Sequence, residues 1–225
     1  MRYYPIFVNL TDKDCLVVGA GGVGRRKIAS LAERGPRSVL VVDTRPPSEE
    51  MASLLDNPVI RYETRGFRDE DVEGKFIVIA STDNEELNWR VSNLCRERGI
   101  LCNIVDQPEK CSFIVPAVVQ KGDLTLAIST GGSSPALAKK IRRDLQDYFG
   151  SHYGDFLILM ARLRPHVLGL ARGTEHNTAL FRDIVGSPLM ECLESGDEAQ
   201  ARSILAAHLP QELHGRIDEV LDGLF

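Results

Sequence analysis

The chain has 225 residues, 43% of them hydrophobic and 26% charged, with 27 lysines and arginines against 32 aspartates and glutamates for a net charge of −5. This is the composition of a globular protein with room for one large domain or two smaller ones, and it offers no global basic field for nucleic acid, so any anionic partner must be met by a local patch. No apolar run approaches the length of a membrane span and residues 1–10 lack the apolar core of a signal peptide, so neither a membrane partner nor export is expected.

Tyr3 to Leu10 is a short apolar lead-in whose Pro5 suggests an edge or loop. From Cys15 to Asp43 the pattern reads strand, glycine turn, helix, strand. The apolar run Cys15 to Val18 ends in Gly19-Ala20-Gly21-Gly22-Val23-Gly24; Val23, Ile28, Leu31 and Ala32 then mark a helix, and Val39 to Val42 close on Asp43, nineteen residues after the last glycine. Each glycine has a physical task. Gly19 permits the tight turn, Gly21 lets backbone approach a pyrophosphate, Gly24 lets the helix pack on the sheet, and the amides from Gly22 and Val23 onward face the phosphates at the helix start. Asp43, with Thr44 beside it, stands where a dinucleotide fold holds a ribose diol. Its charge would repel a 2′-phosphate and so favours NAD over NADP, with Arg45 nearby tempering that preference.

Between Arg45 and Asp56 a loop and a short exposed helix are expected, then a strand over Val59 to Tyr62, a polar turn over Asp69 to Gly74, and a strand over Phe76 to Ala80 apolar enough to be covered on both faces. Ser81-Thr82-Asp83-Asn84 can cap the helix marked by Leu87, Val91 and Leu94. In an open parallel sheet this position also puts Thr82 and Asp83 on the crevice faced by Gly21, so caps and cofactor contacts are both open readings. Ile100 to Val105 is the next strand and brings Asp106 to its carboxyl end, either as an Asx-type turn or as a general base.

From Ser112 the pattern changes. Phe113 to Val119 and Leu124 to Ser129 read as an antiparallel hairpin turning at Gln120 to Asp123, whose edges call for a partner such as a second copy. Thr130 to Ala138 announces a helix with Leu137, Ile141 and Leu145 as its buried stripe, and Lys139, Lys140, Arg142 and Arg143 crowd that helix. Such a run is a solvated face or, with Gly131 and Gly132 ahead of the helix start, a polyanion site. Residues 151–225 read as a helical domain: Phe156, Leu159 and Leu163 end at Pro165, Leu180 and Ile184 end at Gly186, and Leu213, Ile217, Val220, Leu221 and Leu224 form the clearest amphipathic helix. The five histidines all fall there without the i, i+4 spacing of a helical zinc site, and the five cysteines form no CxxC pair. Their odd number argues against a disulfide framework and for a reducing cytoplasm.

Taken in order, Pro5-Ile6-Phe7, the glycine loop, Ala80-Ser81-Thr82-Asp83, Asn103-Ile104-Val105-Asp106, Cys111-Ser112-Phe113-Ile114-Val115-Pro116 and Gly131-Gly132-Ser133-Ser134-Pro135-Ala136-Leu137-Ala138 resemble the precorrin-2 dehydrogenase family of sirohaem synthesis, some of whose members are also sirohydrochlorin ferrochelatases. The motifs cover roughly residues 3–150. The resemblance implies a Rossmann-like α/β domain over 1–112 with NAD as cofactor, a dimerisation and tetrapyrrole-binding segment over 113–150, and a helical domain over 151–225. It implies oxidation of precorrin-2, which carries eight carboxylates, to sirohydrochlorin by a homodimer, with Fe2+ as a second substrate where chelation occurs. The methyltransferase domain fused to some relatives is not expected within these 225 residues.

By the same resemblance Asp106 is the acid–base residue, and Asn103, Gly131, Gly132, Ser133, Ser134, Lys139 and Arg142 line the tetrapyrrole site; no metal ligand set is identified. Gln107 stands where some relatives carry another acid, which leaves one carboxylate fewer for chelation, and Thr130 stands where serine is frequent. The reading from a different class is a non-catalytic NAD-sensing module, which would need the glycine loop and Asp43 but neither Asp106 nor the basic helix.

Overall fold

A computed structural model describes residues 3–105 and 107–225. They fall into two compact units, one ending at Val115 and the other running from Pro116 to Phe225.

The first unit is built on five parallel strands, β1 (Asp14–Val18), β2 (Ser38–Asp43), β3 (Ile60–Thr64), β4 (Ile77–Ala80) and β5 (Leu101–Ile104), in the order β3-β2-β1-β4-β5. Alternation along the strands divides the core in two. Cys15, Val17, Val39, Val41, Ile77 and Ile79 point to one face, where Ile28 and Leu31 of helix α1 (Gly22–Ala32) cover them. Leu16, Val18, Val42, Val78, Cys102 and Ile104 point to the other, under Val91 and Cys95 of helix α3 (Glu85–Glu97). Between them in sequence lies the single-turn helix α2 (Glu49–Ala52), expected to be exposed but anchored by a fully buried Met51.

Chain order reverses between β1 and β4, and the register there pairs Val18 with both Val42 and Ala80. The carboxyl ends of β1, β2 and β4 are therefore level. A Rossmann-like crevice opens at that edge.

The second unit opens with an antiparallel hairpin of β6 (Ala117–Lys121) and β7 (Leu124–Ile128). The first strand starts later than the sequence suggested, the second starts at Leu124 as expected, and the turn is tighter, because Pro116 lacks the amide a ladder needs and Gly122, at φ +55°, makes a two-residue turn with Asp123. Helix α4 (Pro135–Tyr148) follows. The stripe Leu137, Ile141 and Leu145 is not buried as expected: no residue of α4 is, and Leu137 is 48% exposed.

The helical remainder comprises α5 (His152–Gly169), α6 (Thr174–Val185), α7 (Leu189–Ser195), α8 (Glu198–His208) and α9 (Ile217–Leu221) around one apolar cluster. Two expectations are corrected. Helix α5 continues through Pro165, because Val167 beyond it packs into the cluster and offsets the backbone hydrogen bond that proline removes. The stripe from Leu213 to Leu221 is buried as predicted, but on a 3₁₀ run, Gln211–Arg216, followed by the short α9 rather than on one helix. All five cysteines are free thiols, and no helix among the described residues is long and apolar enough to cross a membrane.

At the start of β1 the Asp14 carboxylate accepts from Arg37 Nε at 2.9 Å and from the Ser38 hydroxyl at 2.7 Å. The Arg37 hydrogen bond holds its pKa well below the ordinary value of 3.8, at about 2, against the opposing effect of burial. A depressed carboxylate stabilises the fold above its unfolded pKa, and that contribution disappears as pH falls through the folded value. Asp14→Asn should therefore lower the urea midpoint relative to the parent at neutral pH, and the gap should close as the pH is taken from about 4 to about 2.

Candidate functional site

At the carboxyl edge of the sheet lies a crevice of about 590 Å³ lined by Gly19, Gly21, Gly22, Asp43, Thr44, Thr82 and Asp83, all of which the sequence singled out for cofactor binding. Val23 and Gly24 are not on its surface. Gly24 is buried beneath it, where a Cβ would lie 2.0 Å from the Gly19 carbonyl oxygen, so a side chain there would drive α1 off the end of β1. Gly19 turns the chain at φ +93°, and a Cβ on it would lie 2.8 Å from the Ser81 carbonyl oxygen. Gly21 and Gly22 differ: nothing lies within 4 Å of a Cβ on either, so their bareness leaves open space in front of the helix.

That helix start suits an anion. Gly21 is the N-cap, no side chain caps the helix, and its first turn holds no acidic residue, so the leading amides and the positive end of the helix dipole are left to a ligand. Asp43 sits behind them with its side chain 9% exposed, accepting from the Ala20 amide at 2.7 Å and from the Arg45 amide at 2.8 Å. Each oxygen keeps a further lone pair for a ribose hydroxyl. A backbone cradle that only glycine allows, open space before an uncapped helix and a fixed carboxylate together fit a dinucleotide.

Residues the sequence reading missed complete the walls. Arg65, Gly66 and Phe67 line the crevice after β3. Arg65 is held by Glu63 at 2.7 Å and by both carboxylate oxygens of Asp71, also at 2.7 Å, and these anions raise its already high pKa. Ser81 donates its hydroxyl to the Gly19 carbonyl at 2.8 Å and ties β4 to the glycine turn. The cap of α3 is Asn84 rather than Ser81, Thr82 or Asp83, its side chain accepting from the Leu87 amide at 3.0 Å.

Asp106 lies outside the described residues, but its neighbours are described. Val105 donates to the Ala80 carbonyl at 3.1 Å, and the Cys111 sulfur accepts from the Ile104 amide at 3.1 Å with its thiol 3.3 Å from the Gln107 carbonyl. Burial pushes the Cys111 thiol pKa up, so it acts here as a neutral hydrogen-bonding group. The Trp89 indole donates to the Gln107 side chain, and the Lys110 ammonium lies 4.9 Å from the Trp89 ring centroid. Asn103 does not line the crevice; it is buried and donates to the Phe113 carbonyl at 3.0 Å.

The other predicted substrate residues belong to the second unit. Gly131 and Gly132 have φ +61° and +87°, in a loop closed by Thr130, whose hydroxyl accepts from the Ser134 amide at 3.2 Å. Ser133 is exposed on that loop, and Ser134 spends its hydroxyl on capping α4 through the Leu137 amide at 3.2 Å. Along α4, Lys140 is paired with Asp144 at 2.6 Å, whereas Arg142 reaches only the neutral Gln146 and Lys139 has no ion pair among the described residues. Also among the described residues, no group of three or more His, Cys, Asp or Glu side chains could hold a metal ion.

Residues 6–117 match the family described as "Putative NAD(P)-binding", and residues 121–148 match "Sirohaem biosynthesis protein central". Over 216 residues the chain is 38% identical to a siroheme synthase from Thioalkalivibrio sulfidiphilus, covering 96% of this chain and 44% of the relative. A siroheme synthase from Vesicomyosocius okutanii is 31% identical over 220 residues, 98% of this chain and 47% of the relative. The chain thus spans slightly under half the length of these relatives. Among solved structures, "SirC, precorrin-2 dehydrogenase" superimposes with a TM-score of 0.75 over 91% of this chain and 98% of its own, at 23% identity, a likeness of fold. The first unit is an NAD(P)-binding domain.

Glycine's two tasks in the loop are separable by substitution. Gly21→Ala, at φ −63° and with open space around its Cβ, should leave the urea midpoint close to that of the parent but weaken NAD+ binding in calorimetry. Gly24→Ala should lower both, with a stability loss of about 1–3 kcal/mol from overpacking.

Proposed function

We propose, from the likeness to siroheme synthases and the match of residues 121–148 to the sirohaem central family, that this span carries the NAD-dependent oxidation of precorrin-2 to sirohydrochlorin. One observation carries the proposal: a crevice fitted to a dinucleotide is followed in the same chain by the sirohaem central segment, with its glycine loop and basic helix. We divide the work accordingly, with residues 1–112 holding NAD, 113–150 receiving the tetrapyrrole and a second copy of the chain, and 151–225 forming a helical domain.

Bound NAD+ supplies the two-electron acceptor for the hydride that the tetrapyrrole loses. The accompanying proton is assigned to the Asp106 carboxylate, which follows β5 in the sequence. The uncapped start of α1 holds the pyrophosphate, and Asp43 holds the ribose. Lys139 and Arg142, left without carboxylate partners on α4, meet substrate carboxylates. A second copy covers the hairpin and the unburied apolar side of α4, of which Leu137 is the most exposed member of the expected stripe. Five free thiols and a nicotinamide cofactor suit a reducing cytoplasm. Ferrous iron is assigned as a second substrate, with Asp106 accepting pyrrole protons.

The test is anaerobic incubation of the protein with precorrin-2 and NAD+, with and without Fe2+, following tetrapyrrole and NADH absorbance. NADH should form together with sirohydrochlorin. Asp106→Asn should slow turnover about 10²- to 10⁴-fold while leaving NAD+ affinity near that of the parent. Sirohaem formation no faster than without protein would remove the chelation step alone. Absence of NADH from a folded, NAD-binding sample would favour a sensor module. Replacing Lys139 and Arg142 together by Glu should raise KM for precorrin-2 and leave the NAD+ dissociation constant unchanged.

A further inference from the structure

Asn88 is 4% exposed, in the first turns of α3, and every hydrogen bond described for its side chain goes to one residue. Its Oδ1 accepts from the Thr82 hydroxyl at 2.7 Å and from the Thr82 amide at 3.3 Å, while its Nδ2 donates to the Thr82 carbonyl at 2.9 Å. The amide orientation is fixed by this pattern, because a backbone N–H must meet the oxygen and a backbone carbonyl must meet the nitrogen. A buried asparagine has thus been placed against a single residue of the crevice wall.

The consequence falls on the Thr82 hydroxyl. It has one proton and two lone pairs. The proton has its shortest acceptor in Asn88 Oδ1, and one lone pair accepts from the Asn84 amide at 3.2 Å. What Thr82 still offers to the crevice it lines is a single acceptor lone pair.

We infer that Asn88 is a positioning residue for cofactor recognition, holding the Thr82 hydroxyl as an acceptor for a hydrogen-bond donor of the bound dinucleotide, either a ribose hydroxyl or the carboxamide N–H. The inference rests on the reading of this crevice as the NAD site and is independent of the tetrapyrrole chemistry.

The test is a double-mutant cycle on NAD+ binding by calorimetry with the full chain. Thr82→Val removes the hydroxyl and keeps the shape, so it should weaken NAD+ about three- to tenfold, the loss of one hydrogen bond. Asn88→Ala should weaken binding by a similar factor, and the double variant should be no worse than the poorer single one, because both remove the same contact. Thr82→Ser, which keeps the hydroxyl, should bind more tightly than Thr82→Val. Repeating the Thr82→Val comparison with nicotinic acid adenine dinucleotide separates the two donors: a persisting penalty means a ribose hydroxyl and a vanishing one means the carboxamide. Parent-like NAD+ affinity in Thr82→Val would overturn the inference even if Asn88→Ala unfolds, and so would penalties that multiply in the double variant. A parent chain that is folded yet binds no NAD+ would overturn both this inference and the cofactor reading, whereas NAD+ binding without precorrin-2 oxidation would leave this inference standing.

Discussion

The close approach of Gly24 to the Gly19 carbonyl is the constraint on which the rest of the first unit depends. A Cβ at Gly24 would stand 2.0 Å from that oxygen, inside any contact real atoms make, so α1 can sit this low on β1 only because the side chain is absent. The low seat brings Ile28 and Leu31 onto Val17 and Val41 and completes one core layer. It also sets the uncapped helix start beside the ends of β1 and β2, where the Ala20 amide can reach Asp43 at 2.7 Å. One missing methyl group thus fixes both the packing of a layer and the position of an anion site.

Around that seat the polar groups are held before any ligand arrives. Asp43 is fixed by two backbone amides, Ser81 by the Gly19 carbonyl, Thr82 by Asn88, and the loop through Gly66 and Phe67 by the fork of Arg65 on Glu63 and Asp71. Ordering such groups on binding would cost entropy for each side chain immobilised, and here that ordering is part of folding. The segment after β5 is treated likewise, with Cys111 and Ser112 bonded to the backbone of Ile104 and Cys102 much as a neighbouring strand would be.

The elements whose pattern is local were legible in the sequence. The strands Cys15 to Val18 and Phe76 to Ala80, the glycine loop and Asp43 announce themselves through short-range periodicity and spacing, and the crevice residues drawn from them lie together. What was hidden depends on partners distant in sequence. Arg65 reads as one arginine among many until the fold brings Asp71 to it, and Asn88 reads as a polar position on an amphipathic helix until the turn before that helix folds back on it. Pro165 looks like a helix end by local rules, yet burial of Val167 carries the helix past it. The stripe of α4 has the right period, but period alone does not say whether the face it marks is covered by the same chain.

That last point bears on the proposed substrate, an octa-anion that a protein of net charge −5 would have to receive. Long-range attraction cannot do it, because at physiological salt charges more than about 8 Å apart are largely screened. Recognition must come from cations close to the ligand and lacking carboxylate partners of their own. On α4 the charges are sorted in this way, with Lys140 paired to Asp144 while Lys139 and Arg142 have no ion pair among the described residues, beside an apolar stripe that those residues cover only in part. A flat, largely apolar macrocycle rimmed with carboxylates needs both features within one helix width. A helix that served only to hold the second unit together would bury its stripe and pair its lysines, and α4 does neither in full.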